Sequence, residues 1–295
     1  MRWEELSTTK IDVLSRDTIC VLPLGAVEQH GPHLPLATDI LIAEALAARL
    51  DAASGGRLLI LPGPRTGCSD HHMEFAGTLT LRHETFAAAV METLGAAIRH
   101  GFRRFLLLNG HGGNAAIGGV IAEQAGARWP EADVVFTSWF RAAADRLRPL
   151  VEGEYPAVGH ACEFETSVVL ALRPDLVDMK LAKDDGIAPT APMLRFDLLS
   201  GAAASRALPF HRITKRGVWG RPTLATVAKG RKILQITTGA LTELVRNCWP
   251  AASMDDGQPL TAPGLVSTAR RQPSTCPERG TRSVASRRTV NGGRP

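Results

Sequence analysis

Between Leu22 and Asp39 the chain reads Leu-Pro-Leu-Gly-Ala-Val-Glu-Gln-His-Gly-Pro-His-Leu-Pro-Leu-Ala-Thr-Asp, so Glu28, His30, His33 and Asp39 fall within one short polar stretch behind an apolar run. In a locally extended segment residues i and i+2 point the same way, and Glu28 and His30 can therefore reach one point in space. A carboxylate has two oxygens and can bridge two cations, whereas an imidazole binds one. Glu28, His30 and Asp39 thus suit a pair of borderline divalent metals such as zinc or manganese, which accept mixed nitrogen and oxygen ligands. Each residue also has a plainer reading. Asp39, after Thr38 and ahead of an apolar run, fits an ordinary helix N-cap, and His30 and His33 beside Gly31 and Pro32 fit a polar loop.

Three further stretches carry chemistry. Gly63 to Thr78 (Gly-Pro-Arg-Thr-Gly-Cys-Ser-Asp-His-His-Met-Glu-Phe-Ala-Gly-Thr) is too rich in functional side chains for a simple connector. Asn109-Gly110-His111-Gly112-Gly113-Asn114 follows the apolar run Arg104 to Leu108, and its glycines allow a sharp turn and close approach to a ligand. This turn matches neither the P-loop nor the dinucleotide fingerprint. In Gly159 to Ser167 (Gly-His-Ala-Cys-Glu-Phe-Glu-Thr-Ser), Glu163 and Glu165 adjoin His160 ahead of an apolar continuation. A buried carboxylate without a partner is costly, so metal ligation or general acid/base work gives these acids a reason to be there. Cys68 and Cys162, close in sequence to His71, His72 and His160, also admit a thiol-nucleophile reading.

The elements that must position these residues follow from periodicity. Thr18 to Leu24, Arg57 to Leu61, Arg104 to Leu108 and Ala132 to Thr137 read as strands. Ile40 to Ala53, His83 to His100, Ala115 to Ala127, a segment opening at Trp139, and Leu224 to Trp249 read as helices. Strands alternating with helices predict one α/β domain, a mostly parallel β-sheet with helices on both faces. Ligands bind such a sheet at the carboxyl ends of its strands, and residues 28 to 39, 69 to 72, 111 and 160 to 165 all fall near expected strand ends. From Val177 to Arg216 the pattern loosens into short elements suited to lining a pocket. Residues 1 to 249 form the expected domain, and 250 to 295, rich in Arg, Ser and Pro, an expected disordered tail.

Composition sets outer bounds. In 295 residues, 44% are hydrophobic, ample for a large core. No apolar run is long enough to span a bilayer, and Met1-Arg2-Trp3-Glu4-Glu5 lacks the regions of a signal peptide, so a cytoplasmic, non-membrane protein is expected. Five widely spaced cysteines without a Cys-x-x-Cys pair give neither a disulfide framework nor a thiolate zinc site. The formal net charge is +5, but residues 251 to 295 carry seven Arg against Asp255, Asp256 and Glu278, a net +4. The remainder is nearly neutral and offers no basic face to nucleic acid.

The runs at 25 to 39, 109 to 114 and 160 to 167, together with Gly67-Cys68-Ser69, His72, Phe75-x-Gly-Thr78 and Gly217-Val218-Trp219-Gly220, resemble the creatininase (creatinine amidohydrolase) family over about residues 1 to 249. The resemblance implies an α/β/α layered fold, assembly as homo-oligomers, commonly hexamers, and two divalent metal ions per chain (zinc, manganese or iron). It also implies hydrolysis of amide, cyclic amide or formamide carbon–nitrogen bonds in a small molecule by a hydroxide held between the metals. Carried over by motif position, Glu28, His30, Asp39 and His111 are metal ligands, with Asp39 the bridge. His160 matches the residue that moves a proton to the leaving nitrogen, and Ser69 a substrate contact.

Creatinine-hydrolysing members carry Tyr-Glu where this chain has Gly112-Gly113, and that glutamate is a metal ligand. Its loss argues against creatinine as substrate and leads us to expect Glu163 in the vacant ligand position, with Glu165 the alternative. Creatinine hydrolysis proper, trimming of a ribosomally made cofactor precursor by a peptidase, and a non-enzymatic protein that binds a small ligand through its metals remain the competing readings.

Overall fold

The computed structural model describes residues 1–153 and 158–250; the expected tail, apart from Pro250, lies outside the described residues. Four strands, β1 (Ile19–Leu24), β2 (Leu59–Ile60), β3 (Arg104–Asn109) and β4 (Asp133–Ser138), form an all-parallel sheet in the order β2-β1-β3-β4. The helices are α1 (Thr8–Asp12), α2 (Thr38–Ala53), α3 (His83–Arg99), α4 (Ala115–Arg128), α5 (Trp139–Ala142), α6 (Ala144–Leu147), α7 (Glu163–Leu172) and α8 (Val227–Cys248). Leu24, Asn109 and Ser138 stand level across β1, β3 and β4, so the loops that follow these strands leave one edge together.

Alternation along the strands separates two apolar cores. On β1 and β3, Ile19, Val21, Leu106 and Leu108 face a core shared with Ile42 and Leu46 of α2, Trp139 of α5, Phe164 and Val168 of α7, and Ile233 and Leu241 of α8. Cys20, Leu22, Leu24, Phe105 and Leu107 face the opposite core, built with Phe86, Val90 and Leu94 of α3 and Ile121 of α4. Helices therefore cover both faces, as strands buried on both sides require. Among the described residues no helix is long and apolar enough to cross a membrane.

β2 is shorter than the expected Arg57 to Leu61. Leu61 N–H donates to Val21 O at 2.8 Å, and the next β1 residue turned toward β2 is Pro23, which has no N–H to extend the ladder. The outer side of β2 is covered by the chain's first residues, with Ile60 N–H donating to Met1 O at 2.8 Å. α8 begins three residues later than expected because Thr226, in extended conformation, caps it: its Oγ1 accepts from Lys229 N–H at 3.1 Å.

The loop after β3 touches the start of α2 so closely that only glycine fits at position 110. A Cβ there would stand 2.3 Å from the carbonyl oxygen of Asp39. Gly110→Ala is expected to push α2 off this loop and cost about 1–3 kcal/mol of unfolding free energy. Gly119→Ala, on α4 with open space around it, should instead gain about 0.5–1 kcal/mol. Urea denaturation of the metal-free variants measures both.

Candidate metal centre

Three loops meet above the carboxyl ends of β1, β2 and β3, and Asn114 ties them. Its Nδ2 donates to Gly25 O at 3.0 Å, and its Oδ1 accepts from Cys68 N–H at 3.0 Å. Asn109, the last residue of β3, shapes the turn that carries His111: its Oδ1 accepts from His111 N–H at 3.1 Å and its Nδ2 donates to Ser138 Oγ at 2.9 Å. A fourth contribution comes from outside the sheet. His160 pairs its backbone with Trp219 in both directions, at 2.9 and 2.8 Å, and Ala161, at φ +50°, turns the chain sharply into α7. A non-glycine residue in this left-handed region is strained, and the turn is what aims His160 and the first residues of α7 at the loops.

The functional side chains converge and are almost wholly buried: Glu28 and His30 are 0% exposed, Asp39 2%, His111 3%, Glu165 3% and His160 8%. Asp39 Oδ1 stands 3.2 Å from His30 Nε2, and Oδ2 stands 2.9 Å from His111 Nδ1. Glu28 Oε2 is 3.3 Å from His111 Nε2, while Oε1 is 3.3 Å from His72 Nε2 and 3.6 Å from His160 Nδ1. Ser69 Oγ lies 3.4 Å from His111 Nε2. Gln29 braces the two outer imidazoles, with Nε2 at 2.7 Å from His72 Nδ1 and its backbone oxygen accepting from His160 Nε2 at 2.7 Å. Phe210, in the 3-10 turn Phe210–Arg212, covers the group, its ring centroid 4.1 Å from that of His72 and 4.9 Å from that of His160.

The electrostatics are those of acids confined with imidazoles. Burial pushes Glu28 up to about 7, with nearby Asp39 adding to it, and burial raises Glu165 to about 7 as well. Burial works against both charged imidazoles, yet Asp39 chiefly lifts His30 to about 10, and Glu28 and Asp39 lift His111 to about 9. Burial opposes the Asp39 carboxylate too, but His30 and His111 hold it well below the usual range. His71, lowered by burial and His111 to about 4, and His72 and His160, held far below the ordinary value by burial and by neighbouring imidazoles, are neutral.

Divalent cations fit this donor set. Glu28 Oε1 and Oε2, His30 Nε2, Asp39 Oδ2 and Glu165 Oε2 are buried without a hydrogen bond, which an interior tolerates poorly unless another partner completes them. Among the described residues, four overlapping groups have ligand atoms within 4.8 Å of one another: Glu28, His30 and Asp39; Glu28, His71 and His111; His30, His160 and Glu165; and Glu28, His72 and His160.

Of the residues singled out in the sequence, Glu28, His30, Asp39, Ser69, His111 and His160 come together, and Glu163 does not. Glu163 Oε1 accepts from Glu152 N–H at 2.9 Å, and Oε2 lies 3.5 Å from Lys229 Nζ. Both acids sit in the first turn of α7, where positions two apart point to nearly opposite sides, so the helix that brings Glu165 to His30 turns Glu163 away. His33, also buried, bonds Thr166 Oγ1 at 2.9 Å instead of joining the cluster. His72 and Glu165 belong to the site although sequence reasoning gave them less weight. Placing the start of α7 at Glu163 would have pointed to Glu165.

Residues 1–245 match the model of the creatininase family, described as creatinine amidohydrolase. The chain is 34% identical over 240 residues to a mycofactocin precursor peptide peptidase of Mycobacterium tuberculosis, spanning 77% of this chain and 84% of that protein. It is 28% identical over 266 residues to the creatinine amidohydrolase of Pseudomonas putida, spanning 85% and 96%. Two solved creatininase structures, an Mn form and a mutant of Zn-Zn type, each match with a TM-score of 0.70 at 26% and 28% identity, covering 84% of this chain and 98% of theirs.

The thiols near the site are poor nucleophiles. Burial pushes Cys68 up to about 11 and Cys162 to about 12, and lifts Cys20 further still. With burial holding these thiols above the ordinary range, peptide mapping after brief iodoacetamide treatment at pH 8 should find Cys20, Cys68 and Cys162 unmodified. Rapid labelling of Cys68 or Cys162 with loss of activity would revive the thiol-nucleophile reading.

Proposed function

The chain belongs to the creatininase family, and from that premise we propose that this hydrolase is metal-dependent and cleaves an amide-type carbon–nitrogen bond in a small molecule. The observation that carries the reading is the buried convergence of Glu28, His30, Asp39, His111 and Glu165, with carboxylate oxygens that hydrogen-bond to nothing. Asp39 turns one oxygen to His30 and the other to His111, so its carboxylate would serve both cations. Glu28, Asp39 and His111 would hold one cation, and His30, Asp39 and Glu165 the other. Divalent metals in such a place lower the pKa of water and polarise a carbonyl.

The rest falls to the protein. His160 donates its Nε2 proton to Gln29 O, which fixes the tautomer and leaves Nδ1 with a free lone pair facing the cluster. Because burial keeps His160 neutral at rest, Nδ1 accepts a proton from the attacking water before returning it to the leaving nitrogen. Ser69, fully buried beside His111, is the proposed contact for the substrate's polar end. Phe210 keeps bulk water from the neutral imidazoles, which strengthens each electrostatic interaction beneath it. The identity to mycofactocin precursor peptide peptidase favours a second reading, trimming of a peptide, in which the same residues act on a peptide bond.

Chelation should abolish hydrolysis of whichever substrate class is accepted, small amides or short peptides. His160→Ala should lower turnover by about 100-fold to 10,000-fold with metal content unchanged. Activity that survives chelation, or a His160→Ala enzyme of parent activity, would sink the proposal. Glu165→Ala and Glu163→Ala should diverge: the first loses bound metal, whereas the second keeps it and costs about 1–3 kcal/mol of stability by leaving Glu152 N–H without its acceptor. Elemental mass spectrometry and denaturation curves of the two variants measure the difference.

A further inference from the structure

We propose that His71 is an additional ligand of the cation held by Glu28 and His111, so that this chain holds that cation with two imidazoles. The inference rests on the two-cation reading above and deepens it. His71 lies in the 3-10 turn Asp70–His72 that follows the β2 loop, and its ring runs nearly parallel to that of His111, at 13° with centroids 5.8 Å apart. One ligand atom from each of Glu28, His71 and His111 lies within 4.8 Å of the other two. Neighbouring His72 has its Nδ1 engaged by Gln29 Nε2 at 2.7 Å, and its Nε2 stands 3.3 Å from Glu28 Oε1. Neither ring nitrogen of His71 has a hydrogen bond among the described residues, so its lone pair is available to a cation.

Position 113 makes this arrangement possible. A Cβ on Gly113 would stand 2.4 Å from His111 Nε2, 2.3 Å from Cys68 O and 3.0 Å from His71 Cε1. Any side chain at 113 would therefore collide with both imidazoles, and glycine leaves that space to them. The loop after β2 thus adds a ligand beside the one that α7 supplies through Glu165. An additional neutral imidazole makes the pocket richer in nitrogen, which favours zinc, iron or cobalt over manganese or magnesium.

The test compares the parent with His71→Phe, which keeps a ring against His111 and Phe210 but has no donor, and His71→Glu, which supplies a different donor. After saturation with zinc and dialysis, the parent should retain about two ions per chain, His71→Phe about one, and His71→Glu about two. The weaker zinc affinity of His71→Phe should fall by at least about 10-fold to 100-fold. In the cobalt(II) form, the visible absorption should change with His71→Phe, a response that loss of packing alone does not produce. Zinc-edge X-ray absorption of the parent should count about three imidazoles over two ions, from His30, His111 and His71, and this readout stands even where a variant does not fold. Two ions retained by His71→Phe at parent affinity with an unchanged cobalt spectrum, or a count of about two imidazoles, would overturn the role of His71 and leave the two-cation reading intact. A parent that takes up no zinc would overturn that underlying reading, and the His71 inference with it.

Discussion

Two carboxylates, Glu28 and Asp39, share one buried cluster, and an apolar interior does not hold two negative charges without positive charge between them. Everything at the site answers to this constraint. Without metal the positive charge comes from protons on His30 and His111, which the carboxylates lift to about 10 and 9. Even so Glu28 stays near 7, raised by burial and by Asp39 against the pull of His111. Cations would take the place of these protons, and the same geometry that raises the imidazoles makes them strong ligands once deprotonated. The free energy needed to gather these groups comes from the two apolar cores on either side of the sheet, not from the site itself.

The sheet supplies the rigidity. Parallel strands in the order β2-β1-β3-β4 put the reversal of direction at β1, so the loops after β1, β2 and β3 converge over its carboxyl end, where open α/β sheets bind ligands. Asn114 then fastens those loops with three hydrogen-bonding atoms of its own side chain and backbone, which means that a ligand on any one loop is referenced to the other two. Gly25 and Gly110 let α2, with Asp39 in its first turn, sit against the ends of both central strands; a Cβ on Gly25 would come within 2.6 Å of the Ile40 backbone.

Most of this was legible in the sequence because the signals are local. The apolar runs fixed the four strands, and Glu28, His30 and His111 lie in continuous motifs directly after strands, so their meeting followed from topology. What escaped sequence reasoning depends on three-dimensional accidents of register and space. Choosing between Glu163 and Glu165 requires knowing that α7 starts at Glu163, since a helix sends those two acids to opposite sides whereas an extended segment would align them. The position of His71 against His111 depends on the emptiness left at Gly113, which is a property of two loops together. The stop of β2 at Ile60 depends on a proline in the neighbouring strand.

The cluster is assembled from two unequal parts of the chain. Glu28, Asp39 and His111 all lie before residue 115 and hang on strands β1 and β3, whereas Glu165 arrives with α7, which packs between α2 and α8 far later in the sequence. A chain emerging from the ribosome therefore completes one half of its donor set well before the other. Glu165 reaches His30 only through the packing of α7 against α2 and α8, so the finished set of ligands joins the two parts of the chain.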